Sequence, residues 1–215
     1  KISSDISVAS RCQLMKLCKA LEANIDGEVV QFELIFRNYL TGSLFQALQD
    51  GKDPDGLDLP SNLKEWHKFE TPLFTPTTKG LKDEPLNSKK VKDTFPEIIS
   101  NLEKLFKDFT TFAEDRGIVV VDTKFEIFVD EDGKWVLGDE VLTPESSRFI
   151  ALEDFKNSNF ISMDKQILRD FGKKENWKEQ SKSLKSGEKL EVVVPKEIED
   201  KILSGYKTIL ERLSK

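Results

Sequence analysis

Ile118-Val119-Val120-Val121-Asp122-Thr123-Lys124-Phe125-Glu126-Ile127 is the stretch on which the reading of this chain turns. Four apolar residues run into three charged ones spaced two apart. Side chains alternate between faces on an extended strand. Asp122, Lys124 and Glu126 therefore share one face, and Val121, Thr123, Phe125 and Ile127 share the other. The apolar run predicts a buried strand, and such a strand does not ordinarily carry three ionisable groups in succession. An exposed hairpin with a solvated charged face is the plainer alternative. The apolar approach and a second acidic pair, Asp139-Glu140, favour a functional site.

Downstream, Asp132-Gly133 signals a hairpin, because a two-residue type I′ loop needs positive φ at both central residues. That loop faces Glu131 with Lys134 and brings Glu126 opposite Asp139. Facing carboxylates are unfavourable unless a cation lies between them. A magnesium ion holding nucleotide phosphates is the expected solution. A polar loop follows at residues 143–148. Residues 162–171 read as a short helix stopped by Gly172, with Lys165 and Arg169 four apart on one face. That pair suits either a phosphate or plain solvent. Residues 173–190, rich in Lys, Glu and Ser, are expected to be a mobile connector. Pro195 then opens an amphipathic helix that sets Ile198, Ile202, Leu203, Tyr206, Ile209, Leu210 and Leu213 against the core.

Upstream, residues 29–39 form a strand rich in β-branched and aromatic residues. It ends at Thr41-Gly42-Ser43, where Ser43 is expected to cap a short helix over 44–49. Free amides at that helix start would suit a phosphate or carboxylate. Residues 50–87 are punctuated by Pro and Gly and read as a long loop. Thr94-Phe95-Pro96-Glu97 reads as a capping box opening a helix. Ile98, Leu102, Leu105, Phe106, Phe109, Phe112 and Ala113 recur along it at core-packing spacing, and Gly117 closes it. In residues 1–20 only Arg11, Leu14, Met15, Leu17 and Cys18 look ordered.

A chain of 215 residues allows one large or two small domains, and its 33% charged residues with net charge −6 indicate a soluble, mildly acidic protein. Basic residues are interleaved with acids, which argues against a nucleic-acid surface. No apolar stretch approaches membrane-spanning length, and no signal-peptide pattern opens the chain. The two cysteines, Cys12 and Cys18, support neither a disulfide framework nor a zinc site, so a reducing, cytoplasmic location is expected. The single histidine, His67, excludes multi-histidine metal sites and is expected on the surface. The chain opens on a lysine without an initiator methionine, and an upstream portion is expected to be missing.

Two longer motifs then match a family. Phe32-Glu33-Leu34-Ile35-Phe36-Arg37-Asn38-Tyr39-Leu40-Thr41-Gly42-Ser43 resembles one signature of SAICAR synthetase, the phosphoribosylaminoimidazole-succinocarboxamide synthase of purine biosynthesis. Val121-Asp122-Thr123-Lys124-Phe125-Glu126 resembles the other. Leu73-Phe74-Thr75-Pro76-Thr77-Thr78-Lys79, Gly138-Asp139-Glu140-Val141-Leu142-Thr143-Pro144, Ser146-Ser147-Arg148-Phe149 and residues 162–170 resemble the longer form of this enzyme, in family order. The likeness runs from about Arg11 to the C-terminus.

The resemblance implies an α+β, protein-kinase-like fold with ATP in a cleft between two lobes. Residues 1–30 would be a remnant of the N-terminal lobe and hinge. Residues 31–215 would form the C-terminal α/β lobe, with a mixed sheet, packed helices and the substrate and metal sites. It further implies an ATP-dependent ligase that joins CAIR, an aminoimidazole ribotide carboxylate, to L-aspartate and releases ADP and phosphate. The implied cofactors are ATP and Mg2+, and the implied partners are these small molecules, with no nucleic acid and no membrane. By position, Glu126 and Asp139 resemble the magnesium ligands, and Asp122 and Lys124 the pair at the reaction centre. Arg37, Ser43 and Arg148 resemble the CAIR-binding residues, Lys165, Gln166 and Arg169 the ribotide and phosphate pocket, and Glu33 the acid at the hinge side of the cleft. Lys79 is a candidate for reading the aspartate carboxylates. A kinase-like phosphotransferase on another acceptor and a non-catalytic nucleotide-binding module are the alternatives.

The chain departs from the family pattern in places. The basic phosphate-covering strand of the N-terminal lobe has no counterpart. Gln31 replaces a usual proline, Phe128 a usual glycine, and residues 22–28 resemble an insertion.

Overall fold

The computed structural model describes residues 18–25, 27–52, 56–80, 83–185 and 188–215. The stretch expected to be ordered between Arg11 and Leu17, and the Asp53-Pro54-Asp55 turn, lie outside these. Eight strands build one sheet around the decisive segment. They are β1 (Lys19–Ala20), β2 (Glu22–Ile25), β3 (Glu28–Tyr39), β4 (Lys68–Phe74), β5 (Thr77–Thr78), β6 (Ile118–Val129), β7 (Trp135–Gly138) and β8 (Ser147–Ala151). β6 is central. It pairs with β3 and β1, and also with β8 and β7. β3 in turn pairs with β2, β4 and β5. Among the described residues every strand pairing is antiparallel, where a mixed sheet was expected. No connection here carries the chain back over the sheet to enter in the same direction beside its starting strand, which parallel pairing requires.

Seven helices are described: α1 (Gly42–Gln49), α2 (Ser88–Thr94), α3 (Pro96–Glu114), α4 (Leu152–Lys156), α5 (Gln166–Lys174), α6 (Trp177–Lys182) and α7 (Lys196–Leu213). α3 buries Ile98, Ile99, Leu102, Phe106 and Ala113; of the other residues expected on its packing stripe, Leu105 and Phe109 are partly buried and Phe112 is 40% exposed. That stripe meets Phe36 of β3, Phe125 of β6 and Phe149 of β8 in the main core. The ring centroids of Phe36 lie 5.1 Å from Phe74, 6.0 Å from Phe106 and 6.1 Å from Phe125, within the range of favourable aromatic pairs. The capping box does not form. Phe95 is the N-cap without a side-chain bond, because Thr94 ends α2 and bonds back to the Lys90 carbonyl at 2.8 Å.

A bulge changes the faces of β6. Val120 pairs with Phe149 and Asp122 with Arg148, so Val121 is an extra residue on β6. Ile118 and Val120 therefore join the main core together with Phe125 and Ile127. Val119 and Val121 pack instead with Tyr39 and Ile150. Val121 thus parts from Thr123, Phe125 and Ile127, contrary to uninterrupted alternation. Other expectations also shift. The long loop at 50–87 contains β4 and β5, and its Leu57, Leu59 and Leu63 pack on Leu40, Leu44 and Leu48. The connector at 173–190 contains α6, whose Trp177 ring meets Phe171 at 5.5 Å. α5 runs through Gly172 to Lys174. In α7 Ile209 is buried, but Leu203 and Leu210 are exposed at 61% and 66%. His67 is exposed, as expected.

Candidate active site

The hairpin after β6 sets the first part of the site, and it differs from expectation by one residue. Val129 pairs with Trp135, and the Asp130 amide donates to the Lys134 carbonyl at 3.0 Å. The loop is thus the three residues Glu131-Asp132-Gly133, with Gly133 at φ +75°. The Asp130 carboxylate accepts from the amides of both Asp132 and Lys134 at 2.9 Å, which stabilises this turn over the two-residue one. Glu126 consequently faces Gly138, not Asp139. Asp139 lies one step past the strand with φ +56°. Its carboxylate still comes within 4.0 Å of the Lys124 ammonium.

Lys124 is the hub. Its ammonium donates to Glu126 at 2.7 Å and to Glu33 of β3 at 2.8 Å. The pairing of Ile35 with Lys124 brings Glu33 this close. The second oxygen of Glu126 accepts from Lys79, just beyond β5. Burial works against the charge on Lys124, yet Glu126 and Glu33 outweigh it and raise its pKa. Burial likewise disfavours ionised Glu126, and Lys124 and Lys79 overcome this and lower its pKa. Three carboxylates and two ammonium groups thus share one end of the strand.

Asp122 forms a second centre. It faces Arg37 across β3 and Arg148 across β8. Arg148 Nε donates to both its carboxylate oxygens at 2.9 Å, and Arg37 donates to Oδ2 at 3.1 Å. Arg37 Nε is held in turn by the Thr75 hydroxyl at 2.9 Å. Burial penalises the charge on Asp122, but Arg148 and then Arg37 prevail and hold its carboxyl below the usual range. The same pairing raises Arg148 against its own burial.

Beside Arg148 opens a cavity of about 250 Å³, lined among others by Thr41, Gly42, Glu65, Trp66, Phe160 and Gln166. Trp66 stacks on Phe160 with centroids 4.1 Å apart. Of the expected ribotide-pocket residues, Gln166 lines this cavity, one turn from Asp170 and two from Lys173, which also line it. Lys165 points elsewhere, toward Glu145 at 3.9 Å, with its pKa lowered by burial and by Arg169. Arg169 is near enough to act on Asp122. Ser43 is exposed and does not cap α1. Thr41 is the N-cap, and its hydroxyl is turned to Glu65 at 3.1 Å.

Residues missed from sequence include Trp66 and Phe160, which a loop brings together, and Asp164. Asp164 is fully buried and accepts from Phe149 N, Gln166 N and the Ser162 hydroxyl at 2.8, 2.8 and 2.5 Å. It ties the strand of Arg148 to the start of α5. Burial raises its pKa despite these bonds.

A magnesium ion needs few protein ligands, since one or two carboxylates complete its shell with waters and phosphate oxygens. Among the described residues no group of three or more His, Cys, Asp or Glu converges as a metal cage. Glu126 and Asp139 fit the lighter arrangement, as hard oxygen donors at the strand end.

Fold and site together define an α+β protein with a lysine–carboxylate centre set near a cavity that Arg148 lines. A profile of the SAICAR synthetase family matches residues 8–184. Phosphoribosylaminoimidazole-succinocarboxamide synthase of Actinobacillus succinogenes is 34% identical over 195 residues, which is 86% of this chain and 65% of that protein. A solved SAICAR synthase aligns with TM-score 0.65 and 29% identity over 92% of this chain and 62% of that one. SAICAR-synthase from Saccharomyces cerevisiae, solved in complex with SAICAR, aligns with TM-score 0.59 and 30% identity over 85% of this chain and 58% of that one. The chain belongs to the SAICAR synthetase family. It spans less than two thirds of the length of these relatives.

Proposed function

We propose that the protein carrying this chain is the ATP-dependent ligase that joins CAIR and L-aspartate to give SAICAR, ADP and phosphate. The observation that carries this reading is the juxtaposition on β6 of two centres. Lys124 sits among Glu33, Glu126 and Asp139, and two residues away Asp122 binds Arg37 and Arg148, of which Arg148 lines a cavity. The name of the yeast relative's bound product agrees with it. In this reading residues 31–215 carry the substrate lobe, and β1 and β2 of the segment before it join its sheet through β6 and β3.

A carboxylate becomes electrophilic only when one of its oxygens becomes a leaving group. ATP phosphorylating CAIR to an acyl phosphate supplies that, and such a transfer asks the protein mainly for positioning and charge stabilisation. Lys124 offsets the charge on the transferred group. Glu126 and Asp139 would hold Mg2+, which neutralises phosphate oxygens when bound. Arg148 and Arg37 offer guanidinium forks matched to the carboxylate and phosphate of CAIR, and Gln166 lines the cavity beside Arg148. Ser43, Lys165 and Arg169 would join them from neighbouring faces. Asp122 holds the two arginines in place. With both oxygens bonded to guanidinium groups it is a weak base, so it suits accepting the aspartate amine proton only after the arginines turn to substrate.

The test is ADP release by the protein carrying this chain, with Mg2+, CAIR and L-aspartate omitted in turn. Release that requires all three supports the ligase. Release without aspartate points to a phosphotransferase, and no release from folded protein leaves a nucleotide-binding module.

A further inference from the structure

We propose that Lys79 is a placeholder for the metal: its ammonium holds the seat of the divalent cation on Glu126, and metal binding displaces it toward the nucleotide phosphates. This rests on the metal reading above.

Glu126 is buried, its side chain 5% exposed, and both its oxygens are engaged. One accepts from Lys124 and the other from Lys79. A cation shared by Glu126 and Asp139 competes with these ammonium groups, which already crowd both oxygens with positive charge. The two are not equivalent. Lys124 is bound by both Glu126 and Glu33, has Asp139 within 4.0 Å, and its side chain is 26% exposed. Lys79 has Glu126 as its carboxylate partner, its side chain is 41% exposed, and it follows a strand of only two residues. Lys79 is the group that can leave. Its backbone stays in place, because its amide donates to the Gln31 carbonyl at 2.8 Å. The freed ammonium thus swings on its stem and remains beside the site.

Charge explains why the exchange is favourable. Glu33, Glu126 and Asp139 carry three negative charges against the two positive charges of Lys79 and Lys124, a local sum of −1. A buried carboxylate is costly without partners, and Lys79 covers the oxygen of Glu126 that Lys124 does not. With a divalent ion added the sum becomes +1, which suits phosphate oxygens, and the displaced ammonium lies where it can meet them. Lys79 was expected to read the aspartate carboxylates. The geometry assigns it to the metal end of the site.

Manganese binding followed by electron paramagnetic resonance, without nucleotide, tests this on the protein carrying this chain, its Lys79→Gln variant and its Glu126→Gln variant. Removing the competing ammonium should tighten Mn2+ binding by about tenfold, the order expected for one charge-assisted hydrogen bond. The same Lys79→Gln variant should bind Mg2+-ADP more weakly. Mn2+ affinity that depends on Glu126 but is unchanged or weakened in Lys79→Gln overturns the placeholder. Equal Mn2+ affinity in the parent and Glu126→Gln overturns the metal reading itself.

Discussion

Asp139 stands at φ +56°, a backbone region that asparagine tolerates better than most residues. Asp139→Asn therefore removes a charge without straining the turn. We expect it to lower Mg2+-dependent ADP release by about 100-fold or more, in line with loss of one group that stabilises transferring charge, while the thermal midpoint stays put. Near-normal turnover in that variant would remove Asp139 from the metal role. At this scale much was legible. The period-two spacing exposed Asp122, Lys124 and Glu126, and the structure places all three in ion pairs. Asp139 was singled out from a register that the structure changes, since the turn has three residues and Glu126 faces Gly138. Trp66, Phe160 and Asp164 were not legible. No local pattern says that a loop tryptophan at φ +67° will stack on a phenylalanine 94 positions later.

Among the elements, α7 shows how closely a helix can be seated. A methyl group at Gly205 would lie 2.5 Å from the Met163 carbonyl oxygen and 3.0 Å from its carbon. Both are backbone atoms of the segment leading into Asp164. In an isolated helix Gly→Ala stabilises by about 1 kcal/mol. Here the overpacking should reverse the sign, and we expect Gly205→Ala to lower stability by about 1–3 kcal/mol in urea unfolding. A stabilised variant would mean that α7 does not rest on this segment. The same helix reaches the sheet through Arg212, which donates to the Gly117 carbonyl at 2.6 Å and binds Glu153 at 2.5 Å. Tyr206 donates to Glu145, and burial with that carboxylate raises its pKa. Existence and type of the long elements followed from their periodicity. The bulge at Val121 did not, because it is set by pairing with β8 and not by β6 itself.

For the whole molecule, the buried ion pairs make stability depend on acid. Asp122 and Glu126 have lowered pKa values in the folded protein. The folded state then binds fewer protons than the unfolded one near their ordinary values of about 3.9 and 4.3. Their stabilisation is present above those values and is lost as pH falls through the lower folded ones. Asp164 acts in the opposite direction, since its raised pKa costs stability as pH rises from about 3.9 through its folded value. The two lowered groups outnumber it, so urea midpoints should fall as the pH drops below about 4. Glu126→Gln should fall less steeply. An identical slope in that variant would mean Glu126 is not held ionised by its lysines.

The sequence by itself determined the α+β class, the helix α3 and its buried stripe, the central strand with its charged face, and the family. These depend on local periodicity and on motifs that stand in order along the chain. Only the tertiary structure decided the hairpin register, the face switch at Val121, the engagement of Asp122 by two arginines and the place of Lys79 on Glu126. Each of those is a contact between segments far apart in sequence. Such contacts are selected by the packing and charge balance of the assembled sheet, which no single segment encodes.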